Sequence, residues 1–176
     1  MIQTERLILR AYREEDRADF AALNGDPQVG YWVANVMDRA RSDAMMDQLN
    51  AHIADHGYGL WGVARNSDDR IIGFCGLRPV PAGDLPVGPV IEMAWRMIPA
   101  VWRQGLASEA ASAALAWGLT HLDVSEILAF TADTNLASQG VMRKIGMVAD
   151  PSRDFDHPRL APDHPLNRHV VYTARR

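Results

Sequence analysis

The hydrophobic positions of this chain follow two periods, which predicts a mixed α/β protein. Short apolar runs and alternating positions indicate strands, and apolar positions three or four residues apart indicate helices. Strands are predicted in RLILR, YGLWGVAR, RIIGFCGLR, VIEMAWRMI, EILAFTA and HVVYTA. They predominate in the first half and alternate with helices in the second, as in a layered sheet with antiparallel and parallel parts.

Helices are predicted between and after these strands. The segments are REEDRADFAALN, MDRARSDAMMDQLNAHIADHG, the alanine-rich stretch that begins in VWRQGLASEA, and DTNLASQGVMRKIG. Met45, Leu49 and Ile53 mark the buried side of the second helix, and Gly57 is expected to end it. Asn135 and Gly146 are expected to cap the last helix at its two ends.

Composition limits the class of protein. The chain has 176 residues, of which 48% are hydrophobic, and a formal net charge of −4. These values favour one soluble domain over residues 1–176 and argue against a dominant surface for nucleic acid or anionic membranes. Cys75 is the only cysteine, which excludes an intramolecular disulfide and a cysteine-based zinc site. No segment has the apolar run of a signal peptide or membrane span, so we expect a cytoplasmic protein.

The stretch VWRQGLASEA predicts an anion site. The first N–H groups of a helix have no internal partners, and the helix dipole adds positive charge there. Small residues at Gly105 and Ala107 let an anion approach the backbone. The turn lacks the GxxxxGK[ST] and GxGxxG patterns of nucleotide and dinucleotide sites, and packing alone also explains one glycine at this place.

Four segments in order resemble the GNAT N-acetyltransferases, and among them the bacterial ribosomal-protein N-terminal acetyltransferases. They are TERLILRAYREEDRADF, IEMAWRMIPAVWRQGLASEA, TADTNLASQGVMRKIGM, and DFDHP with a later histidine before the last strand. The resemblance implies a GNAT fold with about seven strands in a mixed sheet. It also implies that acetyl-CoA binds in a splay between the two central parallel strands.

The resemblance implies where acetyl-CoA binds. Its pyrophosphate would lie on the turn, its pantetheine arm along the strand VIEMAWRMI, and the Asn135 side chain would bond to that arm. The implied contact residues are Met93, Ala94, Trp95, Arg96, Arg103, Gln104, Gly105, Leu106, Ala107, Ser108 and Asn135. The chain departs from the broad family pattern at Trp102, where a polar residue is usual, and at Ala94-Trp95, where Gly-Tyr is usual.

Glu92 is the candidate base. Alternation places Glu92 with Ala94 and Arg96 on one face of its strand, while the other face is wholly apolar and must meet the core. Partial burial would raise the pKa of this carboxyl toward the working range of a base. A surface ion pair between Glu92 and Arg96 is the alternative.

Ser138 is the candidate acid that protonates the departing thiolate, directly or through water. The resemblance implies that its hydroxyl, three residues after Asn135, points toward the sulfur. The alternative is a structural hydroxyl bonded to the helix backbone, and capping alone would likewise explain Asn135.

The remaining motifs concern a metal site and the acceptor. His157, His164 and His169 do not have metal-ligand spacing, so no metal is expected. Tyr31 and Trp32 are predicted in a loop between the first two helices, and the resemblance implies that this loop lines the acceptor side. We therefore expect an acetyltransferase acting on a primary amine, either a protein N-terminal α-amine or a small molecule. Dimers are common among similar proteins, so the resemblance also points to a homodimer. The alternative function is a non-catalytic protein that senses acetyl-CoA.

Overall fold

The structure is a computed structural model and describes residues 1–176. The elements in chain order are β1 (Ile2–Gln3), β2 (Leu7–Arg10), α1 (Arg17–Gly25), α2 (Pro27–Tyr31), α3 (Arg39–His56), β3 (Leu60–Arg65), β4 (Ile71–Val80), β5 (Val90–Met97), α4 (Leu106–His121), β6 (Glu126–Ala132), α5 (Leu136–Lys144), β7 (Val148–Ala149), β8 (Phe155–Asp156) and β9 (Arg168–Arg175). The strands form one nine-stranded sheet in the order β1-β2-β3-β4-β5-β6-β9-β7, with β8 beside β9. All neighbouring strands are antiparallel except β5 and β6.

This architecture confirms the predicted mixed sheet and adds short elements to it. All six predicted strands and four predicted helices are present, and β1, β7 and β8 are additional strands of two residues each. The helix α2 was also missed, because five residues are too few to show a helical period. Tyr31, predicted in a loop, is the last residue of α2. The Asp26 side chain caps the start of α2, where it accepts hydrogen bonds from the N–H groups of Gln28 and Val29.

The helix α4 covers one face of the sheet. Its alanines Ala110, Ala111 and Ala114 are fully buried and let the helix lie close to the strands, as their small size predicts. Met93 and Met97 of β5 belong to the same hydrophobic cluster. This confirms that the odd-numbered face of β5 meets the core.

The helices α1 and α3 cover part of the opposite face. Phe20 and Leu23 of α1 pack there with Phe74 of β4. The predicted residues Met45, Leu49 and Ile53 of α3 all pack against the core, partly buried, and Met46 beside them is the fully buried one. None of the helices is long and apolar enough to cross a membrane.

Candidate active site

The turn before α4 presents a run of unpaired backbone donors. Gly105 is the N-cap of α4 and has a φ of 79°, and Arg103 also has a positive φ of 61°. The first backbone hydrogen bond of the helix joins Glu109 N to Gly105 O at 3.0 Å. The N–H groups from Arg103 to Ser108 therefore make no backbone bond, and they surround the positive end of the helix dipole.

Side chains fix this turn against the rest of the fold. Trp102 Nε1 donates to Met97 O at 2.8 Å, which ties the turn to the end of β5 and gives the unusual tryptophan a structural role. Gln104 Nε2 donates to Ala100 O at 2.9 Å, so its side-chain amide is engaged within the turn. What the turn offers to a ligand is therefore its backbone N–H groups and the exposed Arg103 side chain.

Two cations that the sequence analysis did not connect with the turn lie beside it. A Cβ atom built on Gly105 would be 3.6 Å from Arg6 Nη2 and 3.8 Å from Lys144 Nζ. Arg6 also donates to Gln104 O at 3.1 Å and pairs with Glu109 at 2.7 Å. Because Arg6 precedes β2 and Lys144 ends α5, only the tertiary fold brings both to the turn.

The two parallel strands β5 and β6 diverge. Their only paired position is Glu92 with Leu128. Beyond it, β5 pairs only with β4, and β6 pairs only with β9. Backbone groups on the two facing edges are thus free to bond to a ligand, and we call this opening the β5–β6 gap.

Glu92 lies where the gap begins. Its side chain is 7% exposed, and Arg78 Nε donates to Glu92 Oε2 at 2.6 Å. Burial raises the pKa of Glu92 and nearby Asp84 raises it further, whereas the Arg78 guanidinium lowers it. The net pKa shift is upward, as expected for a candidate base.

The predicted alternative for Glu92, an ion pair with Arg96, is wrong. The antiparallel register places Arg78 of β4 directly opposite Glu92, whereas Arg96 is opposite Phe74. Arg96 Nη1 instead donates to Asn24 Oδ1 of α1 at 2.8 Å. The backbone of Arg96 borders the gap, but its side chain turns toward α1.

Asn135 and Ser138 lie at the start of α5. Asn135 Oδ1 accepts from Ser138 N at 3.1 Å, and Asn135 Nδ2 donates to Thr131 Oγ1 at 3.1 Å, which confirms Asn135 as the N-cap. The Ser138 side chain is partly buried, and its hydroxyl forms no hydrogen bond within the chain. The predicted alternative, a hydroxyl bonded to the helix backbone, is therefore not found. Gly146, with a φ of 85°, follows α5 as predicted.

A separate cavity of about 370 Å³ lies between α2 and the loop before β9. Tyr31 and Val36 line one side, and His164 and Leu166 line the other. Both Tyr31 and Val36 are exposed hydrophobic side chains. Of the two residues predicted to line the acceptor side, Tyr31 lines this cavity and Trp32 does not.

Two histidines form part of an aromatic cluster on the sheet. The His157 and His169 rings are 5.0 Å apart, and His169 stacks on Phe155 at 5.3 Å. Burial lowers the pKa of both histidines. No group of three or more His, Cys, Asp or Glu side chains is arranged to hold a metal ion.

Comparison with known proteins gives the family. A family model described as an acetyltransferase (GNAT) domain matches residues 6–148. The chain belongs to the GNAT acetyltransferase family. It is therefore an acetyl-CoA-dependent acyltransferase, as the sequence analysis predicted.

The proteins that this GNAT enzyme resembles include acetyltransferases named for different acceptors. It is 29% identical over 148 residues to the uncharacterized N-acetyltransferase YoaA of Bacillus subtilis, across 83% of this chain and 81% of that protein. The fold matches a spermidine N-acetyltransferase from Vibrio cholerae in complex with CoA and spermine, with a TM-score of 0.75, 17% identity, and coverage of 98% and 96%. It also matches the ribosomal-protein-S5-alanine acetyltransferase of Vibrio fischeri, with a TM-score of 0.75, 14% identity, and coverage of 98% and 94%.

Proposed function

We propose that this GNAT enzyme transfers an acetyl group from acetyl-CoA to a primary amine by direct attack in a ternary complex. The observation that carries the proposal is the position of Glu92. Its buried carboxylate belongs to the single residue pair that joins β5 to β6, so it lies at the closed end of the β5–β6 gap. A thioester at that end would meet a proton acceptor with a raised pKa.

The gap and the turn support a path for acetyl-CoA. The pyrophosphate would bind the N–H groups from Arg103 to Ser108, with Lys144 and Arg6 supplying positive charge. The pantetheine arm would run along the free edge of β5 from Met93 to Arg96. The helix α5 follows this path, because it starts at Asn135 beyond the end of β6 and ends at Lys144 beside Gly105.

The reaction requires three proton steps at this end of the gap. Glu92 takes a proton from the acceptor ammonium, directly or through one water, and leaves a neutral amine. The amine nitrogen attacks the thioester carbonyl, and backbone N–H groups on the edge of β5 stabilise the oxyanion. The carbon–sulfur bond then breaks as the carbonyl re-forms, the attacking nitrogen releases its second proton to solvent, and the Ser138 hydroxyl, which has no partner within the chain, protonates the thiolate and regains a proton from solvent.

Two kinds of acceptor remain in the proposal, a protein N-terminal α-amine and a small-molecule amine. The resemblance to the ribosomal-protein N-terminal acetyltransferases and the similar fold of the S5-alanine enzyme support the first. The cavity between α2 and the loop before β9 offers room for an acceptor next to the N-terminal helices. The similar fold of the spermidine enzyme extends the panel to polyamines.

The test is acetyl-CoA turnover, followed as release of free thiol. Acceptors would include N-terminal peptides of several residue types, polyamines and aminoglycosides. Release with one class establishes acetyl transfer and names the acceptor. Tight acetyl-CoA binding by calorimetry without release from any amine would favour the sensor alternative, and no binding would contradict the proposed role of the turn.

A further inference from the structure

Small residues form the centre of the sheet face between Glu92 and Arg96, and we call them the Gly76–Ala94 floor. Across β4 and β5, Gly76 is paired with Ala94, and the next pair on this face is Phe74 with Arg96. Residues two apart on a strand share a face, and Phe74 and Ala94 do pack on the same side of the sheet. The Gly76–Ala94 floor is thus bounded by the Glu92 carboxylate at one end and the Arg96 guanidinium at the other.

Arg96 differs from the other shielded arginines because it has no carboxylate partner. Its partners are neutral: Nη1 donates to Asn24 Oδ1 at 2.8 Å, and the guanidinium lies 5.0 Å from the centre of the Phe74 ring. The remaining arginines that are buried or partly buried each pair with an aspartate or glutamate. They are Arg10, Arg17, Arg65 and Arg153.

The partly buried guanidinium also keeps some contact with solvent. A partly buried cation without a counter-ion is unfavourable, and burial lowers the pKa of Arg96 to about 10. Only one side-chain nitrogen or oxygen is both sealed from solvent and without a partner, and it is His52 Nε2. The nitrogens of Arg96 that have no partner therefore keep some contact with solvent. A carboxylate that arrives from outside could therefore bond to them, and arginine binds carboxylates especially well.

We propose that Arg96 binds a carboxylate of the acceptor, so that this enzyme acetylates amines that also carry a carboxylate. The inference rests on the proposed acetyl transfer, with Glu92 at the amine end of the floor. A polyamine would bring a second cation toward Arg96 and the nearby Arg78, which repel it.

The spacing of the two ends suggests the length of the acceptor. Glu92 and Arg96 are four residues apart on one strand, so their Cα atoms are about 13 Å apart. Because both side chains leave the same face of the strand, an acceptor that reaches both carries its amine and its carboxylate several bonds apart. An ω-amino carboxylate, or a short peptide with an acid several bonds from its amine, fits better than an α-amino acid.

The first experiment compares acids with their uncharged amides. Glycine, 4-aminobutanoate and 6-aminohexanoate would each be assayed against the corresponding amide, with 1,6-diaminohexane as a cationic acceptor. The measurement is kcat/KM from thiol release. We expect 6-aminohexanoate to exceed its amide by about tenfold or more, and the diamine to be poorer than the amide.

Two variants then test Arg96 itself. Arg96→Gln removes the cation. Asn24→Asp instead supplies a counter-ion from within the protein, and its second oxygen can accept from the Ser42 hydroxyl, which now accepts from Asn24 Nδ2 at 3.0 Å. In both variants the ratio of acid to amide kcat/KM should fall to about one.

The ratio within each variant cancels any general loss of activity, and thermal unfolding checks that each variant folds. Arg39→Gln is the matched control, because it removes an exposed arginine of α3 that pairs with Asp43. Its ratio should equal that of the unmodified enzyme. Asn24→Asp keeps the test decisive even if Arg96→Gln does not fold.

Each outcome bears on one claim. Acids no better than amides, or a ratio that persists in Asn24→Asp and in folded Arg96→Gln, overturns the assignment of Arg96. If peptides, polyamines or aminoglycosides release thiol and no amino acid does, the Arg96 proposal is wrong while acetyl transfer stands. If no amine releases thiol and acetyl-CoA does not bind, the proposed function fails together with it.

Discussion

Arg78 lies directly opposite Glu92 across β4 and β5, and its Nε donates a hydrogen bond of 2.6 Å to Glu92 Oε2. The Glu92 side chain is 7% exposed, whereas the Arg78 side chain is 46% exposed. The carboxylate is thus shielded on the protein side and neutralised from the solvent side. These two influences on its pKa oppose each other, and burial is the larger.

The first prediction concerns Glu92→Gln. If Glu92 takes the proton of the acceptor, kcat should fall by about 100- to 10,000-fold, because general-base catalysis contributes on that order. The affinity for acetyl-CoA, measured by calorimetry, should change by less than about twofold. Glu15→Gln, which removes an exposed carboxylate, is the control and should keep full activity. Unchanged turnover in Glu92→Gln would remove Glu92 from the mechanism.

The second prediction is the pH dependence of kcat. Because the pKa of Glu92 is raised above its ordinary 4.5, activity should fall as the pH drops through that raised value. Arg78 favours the charged carboxylate, so Arg78→Gln should raise the pKa of Glu92 further. The acid limb of the pH profile would then move to higher pH. A limb that stays in place or moves to lower pH would show that Arg78 does not tune this group.

The third prediction separates backbone strain from ligand binding at Gly105. In Gly105→Ala, the new Cβ meets only the ends of flexible side chains, so the cost in stability is the strain of a positive φ, about 1–2 kcal/mol. The methyl group would also hold the pyrophosphate away from the N–H groups, raising the Kd for acetyl-CoA by about tenfold. Gly57→Ala is the matched control, because Gly57 has a φ of 75° and open space around it. It should lose similar stability and bind acetyl-CoA normally.

The fourth prediction uses two neighbouring cations of α5. Lys144 lies beside the turn, whereas Arg143 Nη1 donates to the Tyr172 hydroxyl at 3.0 Å. Lys144→Gln should weaken acetyl-CoA binding by about three- to tenfold and reduce its salt dependence, because an ion pair with phosphate is lost. Arg143→Gln changes the net charge equally and should leave the affinity within about twofold. Equal losses in both variants would indicate a general charge effect.

The fifth prediction concerns Ser138→Ala. The substitution keeps the backbone N–H that bonds to Asn135, so the stability of α5 should not change. If the hydroxyl protonates the thiolate, kcat should fall by about 10- to 100-fold with little change in KM. Asn135→Ala gives the contrasting result for a cap, a loss of about 1 kcal/mol in the free energy of unfolding. A kcat that does not fall in Ser138→Ala would mean that water or another group is the acid.

Much of the fold could be predicted because its signals are local. The alternation in VIEMAWRMI correctly assigned the core face of β5, and Gly57, Asn135 and Gly146 ended or capped their helices as expected. Each of these depends on the side-chain period or on the chemistry of a single turn. The helix α2 was missed because it is shorter than the period that would reveal it.

The sequence by itself determined the family, the turn and helix start at Gly105, and the placement of Glu92 on the face opposite the core. Only the tertiary structure decided what surrounds these groups. Arg78 rather than Arg96 meets Glu92, because the register of β4 and β5 depends on the loop that joins them. Arg6 and Lys144 reach Gly105 from far before and after it in the sequence, and Arg96 is left without a counter-ion. Contacts between residues far apart in sequence have no local period, so the folded chain alone sets the charges of this site.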